Sequence, residues 1–279
     1  MATPPPVNQP FGSPSPKKSS TGLYVGIGAA LLVGVLFVLG VVIAGVSVAN
    51  KRARNKEAIA QFQKEADSLK GTIKPDDDLT DPETAKKADQ VIERVSNAAG
   101  NLDQRMKALV KTMMEEMVAI GKDASAISNR VTDAGGIDPF TLKTKEAAVQ
   151  RVELLQKEQR NAQANLMRTK NLSLTARAAA VKNGLTSEEV DSFIRGMNGK
   201  GQVERLTRIR EIDTLLFQSF INYVTILRDN HGSWRIEHDG VTFSNAPADV
   251  VDRFNALIKE IADLSQEQTD LVDQLSKNK

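Results

Sequence analysis

The side chains best suited to metal chemistry lie close together between residues 231 and 239. His231 and His238 flank the only Trp, and Glu237 and Asp239 stand beside the second His. Imidazole and carboxylate groups are common ligands of divalent metals. The segment alternates like a β-hairpin, however, and alternate residues of a strand point to opposite faces. The four side chains are therefore not expected to converge, and we predict no metal ion and no other cofactor.

Two further clusters have a structural explanation that we prefer to a chemical one. The stretch from Gly196 to Gly201 resembles a phosphate loop only superficially, because Gln202 follows where the motif needs Lys and no strand precedes it. The second cluster consists of four methionines. Thioether side chains bind soft metals or line adaptable grooves, but most of these methionines fall on an apolar helical stripe, which predicts core packing. These methionines are Met106, Met113, Met114 and Met117.

Three arginines on one helix, Arg205, Arg208 and Arg210, are surrounded by acidic residues and are interpreted as a solvated face with ion pairs. No Ser-His-Asp arrangement, HExxH motif or carboxylate pair stands out in the chain. We therefore expect no catalytic residues, no enzymatic activity and no small-molecule substrate.

Composition excludes several classes of protein. The chain has no Cys, which excludes disulfide scaffolds and thiol catalysis. From Glu57 onward 31 basic residues face 35 acidic ones, so the basic excess of the chain lies entirely before that position. A nucleic-acid-binding domain carries a basic face of its own, so no nucleic-acid partner is expected.

Residues 22–49 form an uncharged apolar stretch that predicts a single transmembrane helix. At 1.5 Å per residue a helix of this length exceeds the roughly 30 Å hydrocarbon core of a bilayer. The alternative is a signal peptide cleaved after Ala49, but the apolar region of a signal peptide has only about 7–15 residues. We expect a permanent anchor and hence a membrane location, with the lipid bilayer as one partner.

Small residues recur every four positions within this segment, and such a stripe lets two membrane helices approach closely. The other explanation is that membrane helices are simply rich in Gly. Basic residues follow the segment and outnumber the two lysines before it, so the positive-inside rule favours a cytoplasmic C-terminal domain. The stripe consists of Gly22, Gly26, Ala30 and Gly34, and the basic flank of Lys51, Arg52, Arg54 and Lys56.

The remainder divides into a Pro- and Ser-rich tail, residues 1–21, expected to be disordered, and a helical domain, residues 50–279. Apolar spacing of three and four residues predicts an all-α fold, an elongated antiparallel bundle or coiled coil. One helix of about 50 residues is predicted from Asp81-Pro82 to Val131, with Gly100 and Gly121 as tolerated weak points. Another is predicted from Asp138-Pro139 to Lys182.

Further along, the four residues from Thr186 to Glu189 have the spacing of a capping box, and another helix is predicted between Val203 and Leu227. The period then changes to alternation at residues 233–243, which predicts a small β-hairpin with Asp239-Gly240 in its turn. The last helix has the most regular heptad spacing in the chain, and Gln268 is its one polar seam residue. The predicted coiled-coil seam is Phe254, Leu257, Ile261, Leu264, Gln268, Leu271 and Leu275.

Sustained helical periodicity without a catalytic motif predicts a membrane-anchored structural or interaction protein that binds protein partners through its helical faces. The partner is another protein or a second copy of this chain. The alternative is a membrane sensor or signal-transducing subunit that lacks its own output domain, because a bundle continuous with a membrane helix transmits small helix shifts.

Overall fold

A computed structural model describes residues 77–100, 103–198, 201–237 and 240–277, and seven single positions between 57 and 72. Within these ranges the chain is mostly helical, with one two-stranded antiparallel sheet, so the predicted all-α class with a small hairpin is confirmed. The helices are α1 (Pro82–Gly100), α2 (Gln104–Asp133), α3 (Lys145–Lys170), α4 (Leu172–Lys182), α5 (Ser187–Met197), α6 (Gln202–Asp229) and α7 (Ala248–Lys277).

The predictions for the N-terminal region lie outside the described residues. They are the tail of residues 1–21, the transmembrane helix of residues 22–49 with its small-residue stripe, and the basic flank that begins at Lys51. Of the helices in the described ranges, none combines the length and the hydropathy needed to span a bilayer.

The prediction of one long helix from Pro82 to Val131 is wrong, because the chain turns between α1 and α2. Asp103 caps the start of α2 by accepting a 2.8 Å hydrogen bond from the backbone N–H of Arg105. At Gly100 a Cβ atom would lie 2.9 Å from Cδ of Lys107, so the absence of a side chain permits the close approach there. The apolar spacing continues across the turn because both helices face one core.

The helix predicted from Asp138-Pro139 to Lys182 also divides. Asp138 caps a 3₁₀ turn at Pro139–Thr141 instead of the helix itself, and α3 begins only after Thr144, whose hydroxyl accepts from the N–H of Ala147. Asn171 separates α3 from α4, although backbone hydrogen bonds of helical spacing run into it and out of it. The two helices therefore follow one another almost continuously along the bundle.

Other local predictions are confirmed. Thr186 and Glu189 form a reciprocal capping box at the start of α5. Gly201 takes a left-handed backbone conformation at φ 65° directly before α6. The hairpin pairs β1 (Trp234–Glu237) with β2 (Gly240–Phe243), with Trp234 opposite Phe243, and the Trp234 indole N–H donates to the carbonyl of Leu227 at 2.8 Å. Gly240 lies in β2 opposite Glu237, so its predicted place in the turn is wrong.

Polar contacts establish that neighbouring helices are antiparallel. Between α2 and α3, Arg130 pairs with Glu158 and Glu116 pairs with Arg168, so residue numbers rise on one helix as they fall on the other. The same relation holds between α3 and α6, where Gln159 contacts Gln218 and Lys170 contacts Glu211. It also holds between α6 and α7 through Arg208–Glu267 and Ser219–Glu260.

Two hydrophobic clusters form the core. The first cluster lies between α1, the first half of α2, α4, α5, the start of α6 and the end of α7. The second cluster lies between the end of α2, α3, the rest of α6, the hairpin and the start of α7. Helix α6 supplies both clusters, and its apolar side chains are buried along most of its length. It is therefore the central element of the bundle.

One ion pair joins α2 to α3 beside the second cluster. The carboxylate of Glu158 is completely buried and accepts two hydrogen bonds from the Arg130 guanidinium, at 2.8 and 2.6 Å, and one from the amide of Asn161. Burial alone raises the pKa of a carboxyl group, but the hydrogen bonds and charge of Arg130 outweigh it and lower the pKa of Glu158. The ionised form is thus favoured in the folded state.

We expect Glu158→Gln to lower the free energy of unfolding by about 1.5–3 kcal/mol at neutral pH, the range for hydrogen bonds to charged groups. A lowered pKa contributes stability above the ordinary Glu range, and this contribution is lost as the pH falls through the depressed value. Urea denaturation of both proteins as a function of pH measures the difference. It should shrink in acid, and the exposed Glu153→Gln is the control. A difference that stays constant with pH would contradict this account.

Candidate functional site

The predicted coiled-coil seam of α7 lies along the face that packs on α6. Phe254, Gln268 and Leu275 are buried, and the other four seam residues are half-buried. The ring of Phe254 stacks on Tyr223 of α6 with the centroids 5.0 Å apart. The seam is therefore occupied within the chain.

The four methionines and His231, which were considered for metal chemistry, have structural roles. Met106, Met113, Met114 and Met117 are all buried in the first hydrophobic cluster, so the predicted core packing is confirmed. The imidazole Nε2 of His231 lies 3.0 Å from the carbonyl oxygen of Lys143, and the ring packs edge-on against Trp234. His238 and Asp239 lie outside the described residues. In the ranges that the structure describes, no three His, Asp or Glu side chains are grouped to hold a metal ion.

The arginine cluster corrects the sequence interpretation at one position. Arg208 is partly exposed and pairs with Glu211 of the same helix at 3.7 Å, as predicted, and also with Glu267 of α7 at 2.7 Å. Arg210 is only 1% exposed, so the prediction of a solvated face is wrong there. Helix α6 is buried on most of its circumference, and a residue two positions from Arg208 points into the bundle.

Arg210 belongs to a polar layer that separates the two hydrophobic clusters. We define the polar layer as Ser128 of α2, Asn165 of α3, Arg210 and Asp213 of α6, and Gln268 of α7. The Asp213 carboxylate accepts a 2.8 Å bond from Nη1 of Arg210 and a 2.6 Å bond from the amide of Gln268. Asn165 donates to the carbonyl of Ile120 at 3.0 Å. Polar contacts thus join α3 to α2 and α7 to α6 at the middle of the bundle.

Several groups of the polar layer lie in an unfavourable electrostatic environment. Burial raises the pKa of Asp213, against the opposing effects of the Arg210 charge and the Gln268 hydrogen bond. Among the described residues, no hydrogen-bond partner lies in reach of the Ser128 hydroxyl or of the side-chain carbonyls of Asn165 and Gln268. The adjoining cavity measures about 20 Å³, which is room for one water molecule and no organic cofactor. The polar layer is therefore a structural feature and not a binding pocket.

The second feature of interest is an exposed apolar stripe on α3 and α4. Its three large side chains are Met167, Leu174 and Val181, which are 56%, 65% and 64% exposed. Ala164 precedes them, Asn171 and Ala178 lie between them, and these three residues are also exposed, so the whole set alternates spacings of three and four residues. We call these six residues the outer seam. Its spacing is that of a coiled-coil contact face, and within the described residues no helix covers it.

Neighbouring helices hold the outer seam in place from beneath. Leu172, Ala176 and Ala180 of α4 are fully buried in the first cluster, which anchors the inner face of that helix. Ion pairs fix its edges, from Arg168 to Glu116 and Asp123 of α2, and from Arg177 to Asp191 of α5. Helix α4 is thus apolar on two faces, one buried and one exposed.

The sequence interpretation missed the outer seam. It placed these residues within one helix predicted from Asp138-Pro139 to Lys182 and did not single out an exposed face. The available signal was a second apolar register, Leu174 and Val181 beside Leu172, Ala176 and Ala180, in a segment too apolar for one buried face. Periodicity does not say which of two registers is buried.

No protein-family model, curated protein or solved structure matches this chain.

We expect Gln268→Leu to lower the free energy of unfolding by about 1–3 kcal/mol, because it leaves a buried Asp213 oxygen without its amide donor. Replacing the group together, as Arg210→Met, Asp213→Leu and Gln268→Leu, should recover much of this loss because no buried charge is then left unpaired. Urea denaturation of the triple variant and of the three single variants checks the expectation. If the triple variant were less stable than the unchanged chain by the sum of the three separate losses, the three residues would not act as a unit.

Proposed function

We propose that this chain is a membrane-anchored helical-bundle protein that binds a protein partner through its outer seam. The single observation that carries the proposal is the exposure of Met167, Leu174 and Val181 in one line on an otherwise folded bundle. Contiguous exposed apolar surface on a folded protein marks interaction sites far more often than isolated exposed side chains do.

The form of the surface supports a helical partner. The outer seam covers 18 residues of nearly continuous helix, which at 1.5 Å per residue is about 27 Å long. Two of its six residues, Ala164 and Ala178, have small side chains that allow a second helix to approach closely. Peptide helices dock on such faces through anchors at the same spacing.

The membrane part of the proposal depends on the sequence of residues 22–49. The uncharged stretch would serve as an anchor, and the basic flank after it favours the cytoplasmic side for the bundle. Association of two copies through the stripe from Gly22 to Gly34 is compatible with this arrangement. We propose binding and not catalysis as the work of the chain, since the polar residues buried in the bundle adjoin a cavity of only about 20 Å³.

The alternative function is that of a sensor or signal-transducing subunit without its own output domain. The observation in its favour is the polar layer, where Arg210, Asp213 and Gln268 couple α6 to α7 between two separate hydrophobic clusters. A shift of α7 against α6 would have to break these contacts, so the two helices would move between two discrete arrangements. If the chain is a sensor, replacing Gln268 with Leu should change the affinity of the outer seam for its partner.

A photoreactive p-benzoylphenylalanine at position 174 should crosslink the full-length chain to a protein partner in native membranes. The same residue at position 258 of α7, where Ile258 is 46% exposed, is the matched control and should give no crosslink to that partner. Mass spectrometry of the crosslinked band identifies the partner. Recovery of uncrosslinked chain alone from position 174 would refute partner binding through the outer seam.

Protease accessibility tests the anchored topology. In intact cells the region from residue 57 onward should resist added protease and should be cleaved only after permeabilisation, because the basic flank favours a cytoplasmic domain. An antibody against the C-terminus reads out the fragments, and a known cytoplasmic protein is the control. Cleavage in intact cells would place the bundle on the other side of the membrane.

A further inference from the structure

The two edges of the outer seam carry a one-sided charge pattern. With the seam residues as heptad positions a and d, the flanking e and g positions are occupied by four cations, two neutral residues and no acid. The helix has no Asp or Glu anywhere between Gln159 and Ser187. In coiled coils the e and g positions set partner choice through ion pairs between helices. The flanking residues are Gln163, Arg168, Lys170, Thr175, Arg177 and Lys182.

Three of these cations already contact acidic residues of the bundle, yet they remain available to a partner. Arg168, Lys170 and Arg177 keep 36%, 44% and 52% of their side-chain surface exposed within those ion pairs. Exposed ion pairs contribute little net stability, typically under about 1 kcal/mol. A guanidinium also has five N–H donors, so an approaching carboxylate can share it.

A second copy of this chain is a poor occupant of the outer seam. In a parallel pair of copies Arg177 would face Lys182, and in an antiparallel pair Lys170 would face Arg177. Like charges placed opposite each other at an interface are unfavourable and act against the wrong partner. The charge pattern therefore selects a partner whose flanks are acidic.

A lipid surface is also a poor occupant. Asn171 lies in the centre of the outer seam, and burying its amide in hydrocarbon without a hydrogen-bond partner is costly. A single Asn at position a of a coiled coil instead finds a polar partner across the interface and fixes the register.

We propose that the outer seam binds an amphipathic α-helix of another protein, with apolar residues at its a and d positions, a polar residue opposite Asn171 and acidic residues at its e and g positions. This inference rests on the proposed function and adds the chemistry of the partner. The partner helix would lie along α3 and α4, and its carboxylates would reach the cations on both edges.

Synthetic peptides test the charge preference directly. Two peptides of three heptads share Leu at a and d with one central Asn at a, and they differ only in Glu or Lys at e and g. We expect the full-length chain in phospholipid nanodiscs to bind the Glu peptide at least about tenfold more tightly than the Lys peptide in fluorescence anisotropy, equivalent to about 1.4 kcal/mol. Added salt should weaken the preference.

Variants assign the binding to this surface. Leu174→Lys should weaken binding of the Glu peptide about tenfold or more, whereas Ile258→Lys on α7 should leave it unchanged. Arg177→Glu together with Lys182→Glu should abolish the peptide preference, because the flanking positions then carry two cations and two carboxylates. Each of these side chains is at the surface, and circular dichroism of each variant verifies that the bundle is folded.

Several outcomes would overturn the inference. Equal binding of the two peptides, or binding of neither, would refute the charge selection. Self-association of the chain that Leu174→Lys abolishes would identify a second copy as the occupant. A lipid occupant is tested with chain that lacks residues 22–49 and with vesicles of equal parts phosphatidylcholine and phosphatidylglycerol. If this chain bound the vesicles and Leu174→Lys abolished the binding, the occupant would be lipid. A crosslink from position 174 to a partner segment that is not an acidic helix would leave the proposed function standing and refute this inference alone.

Discussion

The polar layer at the middle of the bundle is the constraint on which the packing of the helices depends. A buried carboxylate such as that of Asp213 is tolerated only where its partners reach it, and these are Arg210 on its own helix and Gln268 on α7. Sliding α7 along α6 by one turn would separate Gln268 from Asp213. Apolar side chains tolerate such a shift far better, because dispersion contacts are not directional. The polar contacts therefore specify the register that the hydrophobic clusters alone leave loosely determined.

The polar layer also explains how one central helix serves two cores. Helix α6 faces aliphatic and methionine side chains at its start and aromatic rings near its end, where Phe254 and Trp234 close the second cluster. The division allows α4 and α5 to join only the first cluster. Helix α4 has its inner face buried in the first cluster, and among the described residues no helix covers its outer face.

An apolar helical face that no described residue covers is well suited to binding. Its residues need little ordering on association, because the inner face of α4 is already packed in the first cluster. In the proposed complex the cations on the two edges would select among partners, whereas the apolar residues would supply most of the contact. An anchor at residues 22–49 would add a second effect by confining the encounter to the membrane surface, which raises the effective concentration of a partner held there.

Local signals in the sequence determined much of this protein. The all-α class, the capping box at Thr186 and the hairpin all depend on interactions within a few residues. Only the tertiary structure decided the rest. Apolar spacing runs through the turn at Gly100 because it reports the face toward the core and not the continuity of the helix. Burial of Arg210 and exposure of Leu174 depend on which helices pack around them, and a pattern along one helix contains no information about its neighbours.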